Sequence, residues 1–223
     1  MTKIVTVFLK RADMTRQQFR DYYEGHHVQM GLAANKHFGF YKYVRNHVVG
    51  SHGAAPGFDC LTEFYFRDMS KAVDAQAFMK TPAGKAISED ELNFLDMTYH
   101  PSFEVQESIV AGAPRAVDVG LTRKLIMVLK RDPTVAAAAF SAAVERFAEN
   151  YARDHASGFT RLMLDSAADS PAGRPPFDAL LTLWPKKNAA EATDAFRWPT
   201  ADAWSTVVDI ESIEAAPETL GEN

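Results

Sequence analysis

Tyr23 and His27, two side chains suited to moving protons, stand four residues apart in the segment Phe19-Arg-Asp-Tyr-Tyr-Glu-Gly-His-His27. On a helix that spacing puts both on one face. An imidazole, with an ordinary pKa of about 6.5, exchanges protons in both directions near neutrality, which makes His27 the candidate general acid/base. A tyrosine one turn away can hydrogen-bond the ring or a phenolate oxygen, the role expected of Tyr23. The other reading of His27 is a helix-ending residue that donates to a backbone carbonyl. His26 points roughly 100° further round a regular helix. It is expected at the surface or helix end, with a secondary part in substrate binding. Adjacent histidines on a regular helix cannot both face one ion, and no His-x-x-x-His or carboxylate pattern accompanies them, so no metal site is expected.

A second set lies in Tyr41-Lys-Tyr-Val-Arg-Asn-His47. The period of two in a strand gathers Tyr41, Tyr43, Arg45 and His47 on one face. If that face lines a cavity, Arg45 binds a substrate carboxylate, Tyr41 and Tyr43 contact the substrate, and His47 is a second catalytic proton carrier. The alternative is a solvent face, with Asn46 turned inward to tie down a loop.

These residues must be positioned by elements that the pattern also predicts. A helix from about residue 15 to 32 starts at Thr15, with Gln18 placed for a capping box. Strands are expected near residues 3–10, 39–48, 58–66 and 102–107. Helices are expected near 70–79 and, as a short piece, 88–96. The same order then recurs. Ile4-Val-Thr-Val-Phe-Leu-Lys-Arg11 reappears as Leu125-Ile-Met-Val-Leu-Lys-Arg131. Phe19, Tyr23 and His27 are matched by Phe147, Tyr151 and His155, Gly39-Phe40 by Gly158-Phe159, and Pro56-Gly-Phe-Asp59 by Pro175-Pro-Phe-Asp178. In both copies the last of these opens a strand that leads to an Ala-rich helix. The chain therefore reads as two α+β repeats of ferredoxin-like βαββαβ form, residues 1–110 and 121–220. Packed face to face, they would make a dimeric α+β barrel within one chain. Residues 111–120, rich in Gly, Pro and Ala, link them.

Duplication also sorts the polar residues. Asp59 and Asp178 occur in both copies, which favours a structural role at a turn. Glu63 has Thr182 as its counterpart and is a substrate-binding candidate of the first copy only. Tyr65, Tyr99 and His100 are candidates for a pocket rim. Trp184, Trp198 and Trp204 read as packing residues. The second copy has Leu164-Asp165 in place of Arg45-Asn46 and lacks a match to His47, so its pocket is expected to be inactive or to shape the substrate.

The 223 residues are 47% hydrophobic and 24% charged, the balance of an ordinary globular chain, and no run is long enough to span a membrane. A net charge of -5 without a basic cluster leaves nucleic acid and anionic membranes without a footprint. A single cysteine, Cys60, excludes an internal disulfide and suits a cytoplasmic protein. No phosphate loop, dinucleotide fingerprint or nucleophile elbow occurs, and no cofactor is expected. The partner expected is a small aromatic molecule, with a further homodimer possible.

The first copy resembles the EthD family of dimeric α+β barrel proteins. The resemblance is carried by Leu9-Lys-Arg11 with Met14-Thr15, Phe19 through His27, Tyr43-Val-Arg-Asn-His47, Phe58-Asp59, and Asp90-Glu-Leu-Asn-Phe-Leu-Asp96 before a strand ending Val105-Gln-Glu107. The second copy resembles it only in outline. The sequence departs from the family's common pattern after the helix histidine, where Val28-Gln29 suggests a longer helix. The resemblance implies a cavity between sheet and helices and cofactor-independent chemistry on aromatic or polyketide-like compounds. The leading expectation is a lyase that decarboxylates or dehydrates a phenolic compound through His27, with Tyr23, His47 and Arg45 assisting. The alternatives are a cofactorless oxygenase of an electron-rich phenol and a non-catalytic accessory or binding protein.

Overall fold

Thr15 decides where the first helix starts. Its Oγ1 accepts from the Gln18 amide at 3.1 Å while Gln18 Oε1 accepts from the Thr15 amide at 2.8 Å, the reciprocal capping box that the sequence predicts. The computed structural model describes all residues except 68, 115–117, 119, 168–173, 187–193, 222 and 223. In it β1 (Thr2–Phe8) leads to α1 (Arg16–Tyr22), a π-helical turn (Tyr23–His27), α2 (Val28–Ala33) and α3 (Asn35–Phe38). The helix thus continues past Val28-Gln29. Next come β2 (Phe40–Gly53), β3 (Cys60–Phe66), α4 (Ala72–Met79), α5 (Pro82–Glu91) and β4 (Ser102–Gly112). The second half is β5 (Leu121–Arg131), α6 (Ala137–Asp154), β6 (Phe159–Ala167), β7 (Ala179–Pro185) and β8 (Ala203–Glu214), and a 3-10 turn follows at Pro217–Leu220. The Ala-rich helix expected after β7 falls largely on 187–193, outside the described residues.

The class is α+β, with two βαββ-like halves. The strands hydrogen-bond in the order β1-β3-β2-β8-β5-β7-β6-β4, closing an antiparallel barrel. Among the described residues no helix is long and apolar enough to cross a membrane. Two compact units divide the chain: Met1–His47 with Gly57–Ser102 and Ile213–Asn223, and Val48–Pro56 with Phe103–Ser212. The end of each half's sequence therefore joins the other half's unit. Most of β4 belongs to the second unit, where it pairs with β6. Ala215, buried in the first unit, donates its amide to the Tyr43 carbonyl.

In the first unit β3 lies between β1 and β2, and one sheet face is covered by α1 and the π turn. The core under that face is aromatic: Phe8, Phe19, Tyr23, Phe40, Tyr43 and Phe94. Helix α5 starts earlier than the expected residue 88, because Thr81 caps it through the Gly84 amide and Pro82 occupies its first position. Gly84 lets α4 and α5 approach closely, since a Cβ there would stand 2.2 Å from the Phe78 carbonyl oxygen. In the second unit α6 is regular over its whole length. It buries Phe140, Val144, Ala148 and Tyr151 against β5, β6 and β7.

A duplicated carboxylate joins strand ends in both units. Asp59 Oδ2 accepts from the Lys10 amide at 3.1 Å and Oδ1 from Arg16 Nε at 2.9 Å. Asp178 does the same with the Arg131 amide at 2.9 Å and Arg131 Nε at 2.8 Å. The clamp sets Lys10 opposite Arg131, which corrects the one-residue-shifted alignment that matched the two Lys-Arg pairs. Apolar runs align by composition, whereas the carboxylate reads the backbone. Asp59→Ala leaves a buried amide unpaired and is expected to cost about 1–3 kcal/mol, read as a shift in the denaturation midpoint.

Candidate functional site

The first unit holds a cavity of about 450 Å³ between helices and sheet. This is within the range of pockets for small organic molecules. Phe8, Phe40, Phe64 and Phe66 line it from the sheet, with Phe38, Met79 and Ile87 among the groups from the helices. Its polar groups include Tyr23, His27, Tyr43, Thr6, Ser102 and Glu91.

The π turn shapes one end of the cavity. An ordinary α-helix would send His26 and His27 in different directions, but the wider turn lets both reach one carboxylate on α5. Asp90 Oδ2 lies 2.8 Å from His27 Nδ1, and Asp90 Oδ1 lies 3.3 Å from His26 Nε2. The expectation that His26 points away is corrected in this respect. It remains exposed, however, and does not line the cavity. Asp90 Oδ1 also accepts from Tyr22 Oη at 2.6 Å and from Asn93 Nδ2 at 3.3 Å. Burial works against this charge, but the bonds from Tyr22, His27 and Asn93 hold its pKa below the ordinary carboxylate value. An ionised Asp90 accepts a hydrogen bond from His27 Nδ1–H. This fixes the tautomer and leaves Nε2 as the basic nitrogen. Burial lowers the pKa of His27 from 6.5, with Asp90 opposing, so the ring is neutral at physiological pH. Phe94, with its ring centroid 4.9 Å from that of His27, packs against the imidazole.

Tyr23 and Tyr43 form the other polar element. Tyr23 Oη lies 3.1 Å from Tyr43 Oη and 2.9 Å from Thr62 Oγ1. Cys60 Sγ, 3.6 Å from Thr62 Oγ1, extends the chain, so four protons serve three links and one is left for an outside acceptor. Tyr43 is the end of that chain that lines the cavity. Burial raises the pKa of both tyrosines, so they remain donors.

The structure therefore brings His27, Tyr23 and Tyr43 together at the cavity and places the other sequence candidates elsewhere. Arg45 and His47 share the strand face with Tyr43 but lie under the π turn, closed off by Glu24. Arg45 Nη2 is 2.7 Å and His47 Nε2 2.6 Å from that carboxylate. Arg45 also donates to the Tyr43 carbonyl at 3.2 Å and stacks its guanidinium 4.7 Å from the Tyr43 ring. With its donors so engaged, it braces Tyr43 and does not face the cavity. Tyr41 leaves the row because a bulge between Phe40 and Lys42 breaks the alternation. Its hydroxyl reaches Met1 Sδ, and Arg67 covers its ring. Glu63 alternates with Thr62 and Phe64 and so faces away from the helices. There it accepts from Asn46 Nδ2 at 2.7 Å and Tyr65 Oη at 2.8 Å and pairs with Lys3 at 3.1 Å. Tyr65, Tyr99 and His100 do not line the cavity.

Two residues that sequence reasoning did not single out complete the site. Asp90 is the partner of His27. Glu91 lines the cavity, and burial raises its pKa above 4.5. Both lie in the segment Asp90-Glu-Leu-Asn-Phe-Leu-Asp96, which marks them as a carboxylate pair without revealing which element they face. Among the described residues no three His, Cys, Asp or Glu side chains are grouped to hold a metal ion. In the second unit Leu162, Leu164 and Ser166 occupy the ladder positions of Tyr43, Arg45 and His47. There α6 is capped by the His155 amide donating to the Tyr151 carbonyl. Trp184 is packed between Lys124 and Arg161, Trp198 against Phe140 and Phe147, and Trp204 against Phe177.

Residues 11–98 match the model of the EthD domain. Among curated proteins no match is found. Solved structures are similar over nearly the whole chain. An anthrone oxidase-like protein is 11% identical with a TM-score of 0.56, covering 96% of this chain and 93% of its own. A candidate monooxygenase from Fusobacterium nucleatum is 9% identical with a TM-score of 0.54, covering 95% and 92%. Another from Lactobacillus acidophilus is 13% identical with a TM-score of 0.50, covering 97% and 96%. At these identities the likeness establishes the fold.

Proposed function

We propose that this chain, whose first copy carries an EthD domain at residues 11–98, is a cofactor-independent oxygenase of a phenolic polycyclic compound. The observation that carries the reading is His27, oriented by Asp90, beside two tyrosine hydroxyls in an aromatic cavity. The names of the similar structures, two candidate monooxygenases and an anthrone oxidase-like protein, support oxygen chemistry over the lyase expected first.

An electron-rich phenol with an acidic C–H can donate its own electrons. His27 Nε2 removes the carbon-bound proton, and the phenolic or keto oxygen that takes up the charge receives a hydrogen bond from Tyr43. The resulting carbanion reduces oxygen and forms a C–O bond. His27 returns its proton to the peroxide. Loss of the second C–H proton with cleavage of the O–O bond then gives a carbonyl and water. One molecule of oxygen is reduced, and the methylene carbon supplies its four electrons. Apolar walls suit both the planar substrate and oxygen.

A lyase remains the second reading, favoured by Glu91, a half-buried carboxyl lining the cavity whose raised pKa suits an acid that protonates a leaving hydroxyl. Turnover of anthrones and hydroxynaphthols with and without oxygen separates the two. Product in air alone supports the oxygenase; equal turnover under argon overturns it.

Asp90 acts through His27 as a positioning residue. Asp90→Asn is expected to lower kcat/KM by about tenfold to a hundredfold, less than removal of the base itself. Because Asp90 raises the pKa of His27, the acid limb of the pH profile should also move to lower pH. A purely structural role would reduce the amount of active enzyme without moving that limb.

A further inference from the structure

We infer that the compound bound in the aromatic cavity carries a carboxylate, held by Lys71 in a second cavity that shares a wall with the first. This rests on the phenol-site reading above and adds the anionic group to it. The second cavity, about 580 Å³, has Phe40 and Lys71 in common with the aromatic one. The two cavities therefore adjoin at those two side chains, and Lys71 borders both.

Lys71 is exposed, and two contacts constrain its side chain. Its stem crosses Gly39, where φ is +75° and a Cβ would lie 2.7 Å from Lys71 Cδ. Its ammonium donates to the Lys36 carbonyl at 3.2 Å, which leaves two of its three donors for a ligand. Lys36 and Arg67 line the same cavity, and the Arg67 guanidinium is 4.6 Å from the centre of the Tyr41 ring. Among the described lining residues Lys36, Arg67 and Lys71 are basic and Glu218 is acidic. The facing wall is tied down by Asn35, whose Nδ2 donates to the carbonyls of Phe40 at 2.8 Å and Leu220 at 2.9 Å. An apolar cavity continued by a cationic one selects a planar aromatic body with an acidic arm.

Two product-like probes test this, an anthraquinone carboxylate and its hydroxymethyl counterpart, titrated calorimetrically into the intact protein at low and high salt. The carboxylate should bind about tenfold more tightly than the alcohol, an advantage that shrinks with salt. Lys71→Met should abolish the preference. Equal binding of both probes, or a preference that survives Lys71→Met, overturns this inference and leaves the phenol site standing. Binding of neither probe by the native protein overturns both.

Discussion

His27→Ala should lower kcat/KM by about 10² to 10⁴ on a phenolic substrate that the native protein oxidises. The variant should still bind the planar product analogue. His27 is the basic group that lines the cavity, and its Nδ1 is committed to Asp90 at 2.8 Å. The same assignment fixes the pH dependence. Burial lowers the folded-state pKa below 6.5, and the active form is the neutral ring. kcat/KM should therefore be flat at neutral pH and fall on the acid side with an apparent pKa under 6.5. In His27→Ala that limb should vanish from the residual rate. Stopped assays across pH, on protein shown to be folded by circular dichroism, check both parts. A variant that keeps native turnover, or a wild-type profile whose rate rises toward acid, would remove His27 from the role of base.

Glu24→Leu should destabilise the fold by about 3–5 kcal/mol, because Glu24 is the shared partner of two buried cationic groups. Arg45 and His47 have side-chain exposures of 4% and 3%. Burial opposes ionisation of Glu24, but bonds from His47 and Arg45 keep its pKa below 4.5. Burial likewise opposes charge on His47, and Cys60 and Glu24 outweigh it, raising its pKa from 6.5 to about 9. The signs follow from linkage. The contribution of His47 is complete below about 6.5 and is lost as pH rises through about 9. That of Glu24 is complete above 4.5 and is lost as pH falls below it. After the substitution His47 can shed its proton, but Arg45 cannot. The triple variant Glu24→Leu, Arg45→Met, His47→Leu should accordingly recover part of the loss. Urea denaturation at pH 6 measures both variants. A single variant within about 0.5 kcal/mol of the native protein would show that the cluster is not a buried charge network.

His27 and Tyr23 were legible because a spacing of four on a capped helix is a local property, and Thr15 with Gln18 announced that helix. The role of Asp90 was not, since it depends on α5 crossing the π turn, and nothing in Tyr23-Glu-Gly-His-His27 announces a π turn. The row Tyr41, Tyr43, Arg45, His47 was half legible. Alternation correctly put Tyr43, Arg45 and His47 on one face. The bulge that displaces Tyr41 and the carboxylate of Glu24 that seals Arg45 and His47 are tertiary facts. Glu63 shows the limit of arguing from duplication, because a residue present in one copy can serve that copy's internal pairing, here with Lys3, Asn46 and Tyr65. The duplication itself was plain in the matched Phe, Tyr, His and Asp positions. The strand register was not, until the Asp59 and Asp178 clamps set it.

In the proposed reaction the substrate itself reduces oxygen in the cavity of the first copy, with His27 as base. The most direct test is oxidation of an anthrone by chelator-treated protein under isotopically labelled oxygen, with oxygen uptake and product mass measured together. The expected result is one oxygen molecule consumed per substrate and a single labelled atom in the new carbonyl, with both lost in His27→Ala. Product that carries no label, or that forms equally without oxygen, would contradict the oxygenase and return the site to lyase chemistry.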